Sequence, residues 1–225
     1  METRPWTSGR ATRSPFVLPS GLRGRLAGRL MLRTNRQDEV ARLLAVRPGE
    51  RVLEVGYGPG GLIRRLARTP AGRVCGVDPS PEMRDMAARR AARADLRVGT
   101  AEDTGFGDAE FDCVVSVNSV ALWPCLERGL DELRRVTRPG GRVLIAWHGG
   151  RRPPRIARRF RLPDDQLARV EDALRRRFSN VHRHELSELT AFTARRDRPG
   201  ERDEDGGAGR AQGRGAGQGL RARPP

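Results

Sequence analysis

Lysine is missing altogether: all 44 Lys+Arg residues are arginine. That absence excludes three large classes of chemistry. A Walker-type phosphate loop needs its lysine, a protein kinase its strand lysine, and a pyridoxal-phosphate enzyme a Schiff-base lysine. Cysteine is scarce and scattered, with Cys75, Cys113 and Cys125 forming no CxxC pair. Such a set fits a reducing cytoplasm and argues against a disulfide scaffold or a cysteine zinc site, so no metal is expected. No apolar run approaches the roughly 18 residues needed to cross a bilayer, and the N-terminus has no signal-peptide apolar segment. A cytoplasmic location and no membrane partner are therefore expected.

What is present is an ordinary globular composition with an unusual charge. Counting the 27 glycines with the 36% hydrophobic residues gives about 48% apolar content. A length of 225 residues suits one domain with flexible ends. The net charge of +16 first points to a nucleic-acid partner. Its distribution argues otherwise: residues 1–47 carry +7, 48–150 only +1, and 151–225 carry +8. The first 36 residues are Arg-rich and acid-poor, as in a transit peptide, but arginine usage throughout the chain points instead to GC-rich coding. Residues 197–225 hold Leu220 as their only large apolar side chain and no aromatic group to stack a base, so they read as a disordered Gly/Arg-rich tail. The expected organisation is an Arg-rich, partly helical segment over 1–36, a domain over 37–196 and the tail.

The middle alternates strand and helix signals. Short β-branched runs at 51–55, 73–77, 113–117 and 142–147, with a weaker one at 96–98, read as buried parallel strands. Helical spacing appears at Val40, Leu43 and Leu44, at Leu62, Ile63, Leu66 and Ala67, at Met83, Met86 and Ala87, and at Leu126, Leu130, Leu133 and Val136. The spacing predicts a further helix over 164–178, then two strands over 180–186 and 189–195 as an antiparallel pair. The expected fold is α/β: a Rossmann-like doubly wound sheet, mostly parallel, with an antiparallel strand near the C-terminal end.

The sharpest motif is VLEVGYGPGG at 52–61, between a strand and a helix. Gly56, Gly58 and Gly61 satisfy G-x-G-x-x-G, and Asp78 ends the next strand 22 residues beyond Gly56. Glycines allow the turn and a close ligand approach, and a carboxylate at the second strand's end suits two ribose hydroxyls. Glu54 discriminates between nucleoside cofactors. A pyrophosphate would be repelled by it, whereas a ligand carrying an ammonium and a sulfonium would be attracted. The alternative role for Glu54 is to cap nearby backbone amides.

Five segments in order then resemble the class I S-adenosylmethionine-dependent methyltransferases, in particular those with a methyltransferase type 11 domain. They are VLEVGYGPG, VDPSPEM (77–83), GTAEDTGF (99–106), EFDCVVSVNSVALW (110–123) and ELRRVTRPGGRVLIAW (132–147). The resemblance covers about residues 35–196. It implies S-adenosylmethionine as cofactor, with Glu54 at the methionine end and Gly56, Gly58 and Gly60 lining its path. It further implies Asp78 on the ribose, Met83 packed against adenine, the Ala101 amide with Glu102 at the adenine ring, and Asn118 near the reacting methyl. Many relatives carry aspartate where Thr100 stands, reaching the adenine amino group; here a hydroxyl takes that place.

Transfer to a good nucleophile needs mainly alignment, while a hydroxyl acceptor needs a base. His148, just after the fifth strand at the carboxyl edge, is the best-placed base, set against its reading as an ordinary loop histidine. Pro124 and Cys125 match the region of the nucleophilic Pro-Cys of cytosine-C5 methyltransferases, but the rest of that motif set is missing and chance is the favoured reading. His182 and His184 share a strand face without an evident third ligand. Trp123 suits an acceptor pocket and a core edge equally. The expected function is methyl transfer to a small-molecule acceptor, with residues 21–36 as the cover of the cleft. The alternatives are an RNA- or DNA-directed methyltransferase or binding protein using the Arg-rich flanks, and an NAD-type reductase.

Overall fold

The computed structural model describes residues 4–10, 28 and 37–200. The expected cover over 21–36, Gly28 apart, and the tail beyond residue 200 lie outside the described residues. Within them the chain runs α1 (Asp38–Leu44), β1 (Arg51–Val55), α2 (Ile63–Leu66), β2 (Arg73–Asp78), α3 (Pro81–Ala88), β3 (Asp95–Val98) and β4 (Phe111–Val117). A 3-10 turn (Val120–Leu122) follows, then α4 (Leu126–Val136), β5 (Thr137–His148), α5 (Arg155–Arg158), α6 (Asp164–Arg175), β6 (Ser179–Glu185) and β7 (Leu189–Arg195).

The strands form one seven-stranded sheet in the order β3-β2-β1-β4-β5-β7-β6. The first five pair in parallel, and β7 runs antiparallel to both β5 and β6. This is the expected doubly wound, mostly parallel arrangement. Strand order reverses between β1 and β4, and ligands of open α/β sheets bind at the carboxyl ends of strands flanking such a switch.

Side-chain alternation divides the core in two. Leu53, Val55, Val114, Val143 and Ile145 face α4 and α6, while Val52, Val74, Val115 and Leu144 face α1, α2 and α3. α4 presents Leu126, Leu130, Leu133 and Val136 to the first layer, each with no exposed surface. Burial at about 1.5–3 kcal/mol per side chain fixes that helix on the sheet. α3 starts on an ordinary signal: the Ser80 hydroxyl accepts from the Met83 amide at 3.3 Å, with Pro81 in the first turn. In α6, Asp164 and Asp165 sit in the first turn and Arg175 in the last, matching the helix dipole.

Two elements differ from the sequence reading. The helix after the glycine loop is only one turn, because Thr69 closes it through N–H and Oγ1 bonds to the Leu66 carbonyl just before Pro70. β5 starts at Thr137 instead of residue 142. Its Pro-Gly-Gly stretch stays alongside β4 as an irregularity between Phe111 and Cys113, with Gly140 at φ +75. Near the N-terminus, residues 4–10 lie across the exit of β4: the Trp6 amide and indole donate to the Trp123 and Val120 carbonyls at 3.0 and 2.8 Å.

Candidate functional site

The loops leaving β1, β2, β4 and β5 are joined to one another at the carboxyl edge. The Gly56 amide donates to the Val77 carbonyl at 2.8 Å, and the Asn118 amide to the Ala146 carbonyl at 2.8 Å. The Asp78 carboxylate accepts from the Gly58 and Ser80 amides, each at 2.9 Å. The Ser119 hydroxyl bonds the Val55 carbonyl at 3.2 Å. If its single proton goes there, Ser116 must donate in the 2.6 Å contact between the two hydroxyls, and the Trp123 indole donates to the same oxygen at 3.2 Å.

The glycines are required by this packing. Gly56 has φ +78, and a Cβ there would lie 2.5 Å from the Ser119 Cβ. Gly60 has φ +90, and its Cβ would lie 2.8 Å from the Ala87 Cα. Gly58 also has positive φ, but its Cβ direction opens into free space, as a loop approached by a ligand needs.

Three buried side-chain oxygens at this edge lack a partner among the described residues: Gln37 Oε1, Glu54 Oε2 and Asn118 Oδ1. Buried polar atoms are rarely left so. Glu54 is 1% exposed on the β1 face covered by α2, and the Ile63 amide supplies its carboxyl one hydrogen bond. Burial, reinforced by the nearby Asp78 charge, pushes that carboxyl well above its ordinary range. Burial likewise pushes Asp78 up to about 6, against the opposing pull of the Ser80 and Gly58 amides. Asn118 adopts a left-handed backbone at φ +56 at the end of β4. Gln37 abuts the loop, its Oε1 2.7 Å from where a Gly61 Cβ would stand.

The other expected residues sit as follows. Met83 is 1% exposed and packs in the core, with Gly28 covering its Cε. Thr100 turns its hydroxyl to accept from the Asp103 amide at 3.1 Å, and Ala101 is buried beside it. Glu102 accepts from the Cys125 amide at 2.7 Å and pairs with Arg128 at 2.8 Å, which secures the start of α4. His148 is half-buried, 5.6 Å from the Phe160 ring, and burial lowers it to about 4. Cys125 holds its thiol on Glu127 at 3.6 Å. His182 is exposed, while His184 bonds the Thr193 hydroxyl at 2.8 Å. No group of three or more His, Cys, Asp or Glu among the described residues is arranged to hold a metal ion.

Sequence reasoning missed Gln37, Ser116 and Ser119. Gln37 lies outside the five motif segments and the two serines inside the fourth, and their roles arise from contacts with Gly61 and Gly56 that form only on folding.

The family model described as a methyltransferase domain matches residues 53–145. The fatty-acid O-methyltransferase of Mycolicibacterium smegmatis is 43% identical over 100 residues, which cover 43% of this chain and 36% of that protein. The demethylmenaquinone methyltransferase of Chlorobaculum parvum is 35% identical over 100 residues, covering 43% and 42% respectively. The chain thus spans well under half the length of these two relatives. A solved S-adenosylmethionine-dependent methyltransferase of Aquifex aeolicus superposes with a TM-score of 0.56 at 17% identity, over 76% of this chain and 95% of that one. Residues 53–145 therefore belong to the methyltransferase domain family, and the chain has the fold of the class I S-adenosylmethionine-dependent methyltransferases.

Proposed function

We propose that the chain is an S-adenosylmethionine-dependent methyltransferase acting on a small-molecule acceptor. The observation that carries this reading is the buried, unpartnered Glu54 oxygen beside Asp78. Burial and the Asp78 charge disfavour ionisation of Glu54, and a cationic ligand removes that conflict. A dinucleotide would worsen it by bringing a pyrophosphate to the same loop. The bound group would supply a methyl on a positively charged sulfur.

The protein's own residues bind and orient. Glu54 takes the ammonium, Asp78 offers its remaining lone pairs to ribose hydroxyls, and Gly56, Gly58 and Gly60 keep the loop free of side chains. Thr100, Ala101 and Glu102 border the adenine side, with Met83 beneath it. Asn118 offers its oxygen beside the reacting centre. His148, at the end of β5, is the candidate to take a proton from a hydroxyl acceptor, and burial that lowers it to about 4 makes it a weak base for that task. A small acceptor is favoured by the short connection from β5 to α6, which contains only α5, and by the fatty-acid and demethylmenaquinone methyltransferases among the relatives.

Calorimetry with S-adenosylmethionine tests the assignment. Wild type should bind, and Asp78→Ala and Glu54→Gln should each weaken binding at least about tenfold. Affinity should fall as pH drops from about 8 to about 5, because both carboxylates must be ionised to receive the ligand. A wild type that does not bind, or two substitutions without effect, would overturn the assignment. Labelled cofactor with a small-metabolite extract would then identify the acceptor by its product.

A further inference from the structure

The connection from β5 to α6, residues 149–163, reads GGRRPPRIARRFRLP and contains six arginines and no acid. Arg151, Arg152, Arg155, Arg158, Arg159 and Arg161 are all exposed. Several arginines elsewhere pair with carboxylates, as in the Arg73–Glu110, Arg142–Glu50, Arg169–Glu127 and Arg177–Asp131 pairs, while scattered ones such as Arg64, Arg68 and Arg93 do not among the described residues; this loop is distinct in gathering six with no acid between them. None of these six enters a salt bridge among the described residues; Arg151 reaches Glu39 only through space.

The backbone beneath this charge is nonetheless fixed. The Arg151 and Arg152 amides donate to the Leu186 and Ser187 carbonyls at 2.9 and 2.6 Å. The Trp147 indole donates to the Phe160 carbonyl at 2.6 Å. Phe160 stands between Arg159 and Arg161 and is 37% exposed, one of two large exposed hydrophobic residues among those described. The Arg159 guanidinium lies 4.8 Å from its ring centroid. Folding therefore holds the loop without using its charge, and it leaves an aromatic ring exposed among the arginines.

A small anion would engage one or two guanidiniums and leave the rest without purpose. A nucleic acid would use the charge, but base-stacking platforms present several rings, and here Arg159 already lies over the single exposed one. An anionic bilayer offers phosphates to the arginines and an apolar boundary to the phenyl group. We propose that residues 149–163 dock the protein on an anionic lipid surface, with Phe160 entering the headgroup boundary. The docked face adjoins His148, and the proposal does not depend on the methyl-transfer reading. The earlier expectation of no membrane partner rested on the absence of a spanning segment. Lying on a surface asks only for charge and an exposed apolar group.

The test is co-sedimentation of the full chain with vesicles of phosphatidylglycerol and phosphatidylcholine at about 1:3, and with pure phosphatidylcholine. Binding should require the anionic lipid and fall steeply between about 50 and about 300 mM salt. Replacing all six arginines by glutamine should weaken binding at least about tenfold, while replacement by lysine retains it. Phe160→Ser should weaken binding about threefold or more without changing the salt dependence. The six-glutamine chain should bind S-adenosylmethionine as wild type does, which separates lost docking from lost folding. Glutamine at Arg202, Arg210, Arg214, Arg221 and Arg223 is the charge control and should leave vesicle binding within about twofold. The proposal is overturned if the six-glutamine chain sediments like wild type, or if the control loses as much. It is also overturned if a labelled single-stranded RNA of about 15 nucleotides binds the loop at a salt concentration where vesicles do not.

Discussion

Gly56 concentrates two constraints in one residue. Its φ of +78 disfavours any side chain, and Ser119 fills the volume a Cβ would need. Gly56→Ala should therefore destabilise the protein by at least about 3 kcal/mol, part from backbone strain and part from the clash. Urea denaturation measures the total. Adding Ser119→Gly should recover at most about 1 kcal/mol, because relieving the clash also removes the hydroxyl that bonds Val55, Ser116 and Trp123 while the strain remains. A Gly56→Ala chain as stable as wild type would contradict the close approach of the two loops. The motif glycines were visible in the sequence because only glycine suits such backbones. Ser119 was not, since nothing local to it indicates that its hydroxyl would back a loop 63 residues earlier in the chain.

Among the elements, the end of α1 is tied to the sheet by an arginine of β5, in addition to the burial of Val40 and Leu44. Arg142 makes a two-pronged bond to Glu50, both contacts at 2.7 Å, and also donates to the Leu44 and Ala45 carbonyls at the end of α1. Arg142→Met should cost about 2–4 kcal/mol, since it leaves Glu50 largely buried without its partner. A double-mutant cycle with Glu50→Gln should show that most of this loss is shared. Additive losses would mean the pair is not coupled. The central strands and α4 were legible in the sequence because burial repeats with the element's own period. The single turn of α2 and the early start of β5 were not. A threonine bonded to Leu66 ends the first, and pairing with β4 recruits a Pro-Gly-Gly stretch into the second, both tertiary effects that override local signals. Of the site, Asp78 and Glu54 were legible as acids at strand ends, whereas Gln37 becomes part of it only because α1 is clamped beside Gly61.

For the molecule as a whole, Asp78 and Glu54, both raised by burial, pull the pH dependence one way and the half-buried His148 pulls it the other. Asp78 binds its proton more tightly when folded, at about 6, so its contribution is complete at low pH and is lost as pH rises through that value. His148, lowered to about 4 in the fold, takes up its proton more readily when unfolded, so its contribution grows as pH rises from about 4 to about 6.5. Relative to wild type, Asp78→Asn should tilt the profile toward greater stability as pH rises, and His148→Gln should tilt it the other way. Denaturant midpoints from pH 4 to pH 7 check both slopes, and parallel profiles for all three chains would refute the opposition. The three unpartnered oxygens of Gln37, Glu54 and Asn118 also determine what this edge prefers. These oxygens are already shut off from water, so an occupant of the right shape but without hydrogen-bond donors would leave their cost in place, at about 1–3 kcal/mol for each oxygen. Discrimination at the cleft would thus come from relief: a guest that brings donors removes a standing cost that an inert isostere leaves untouched.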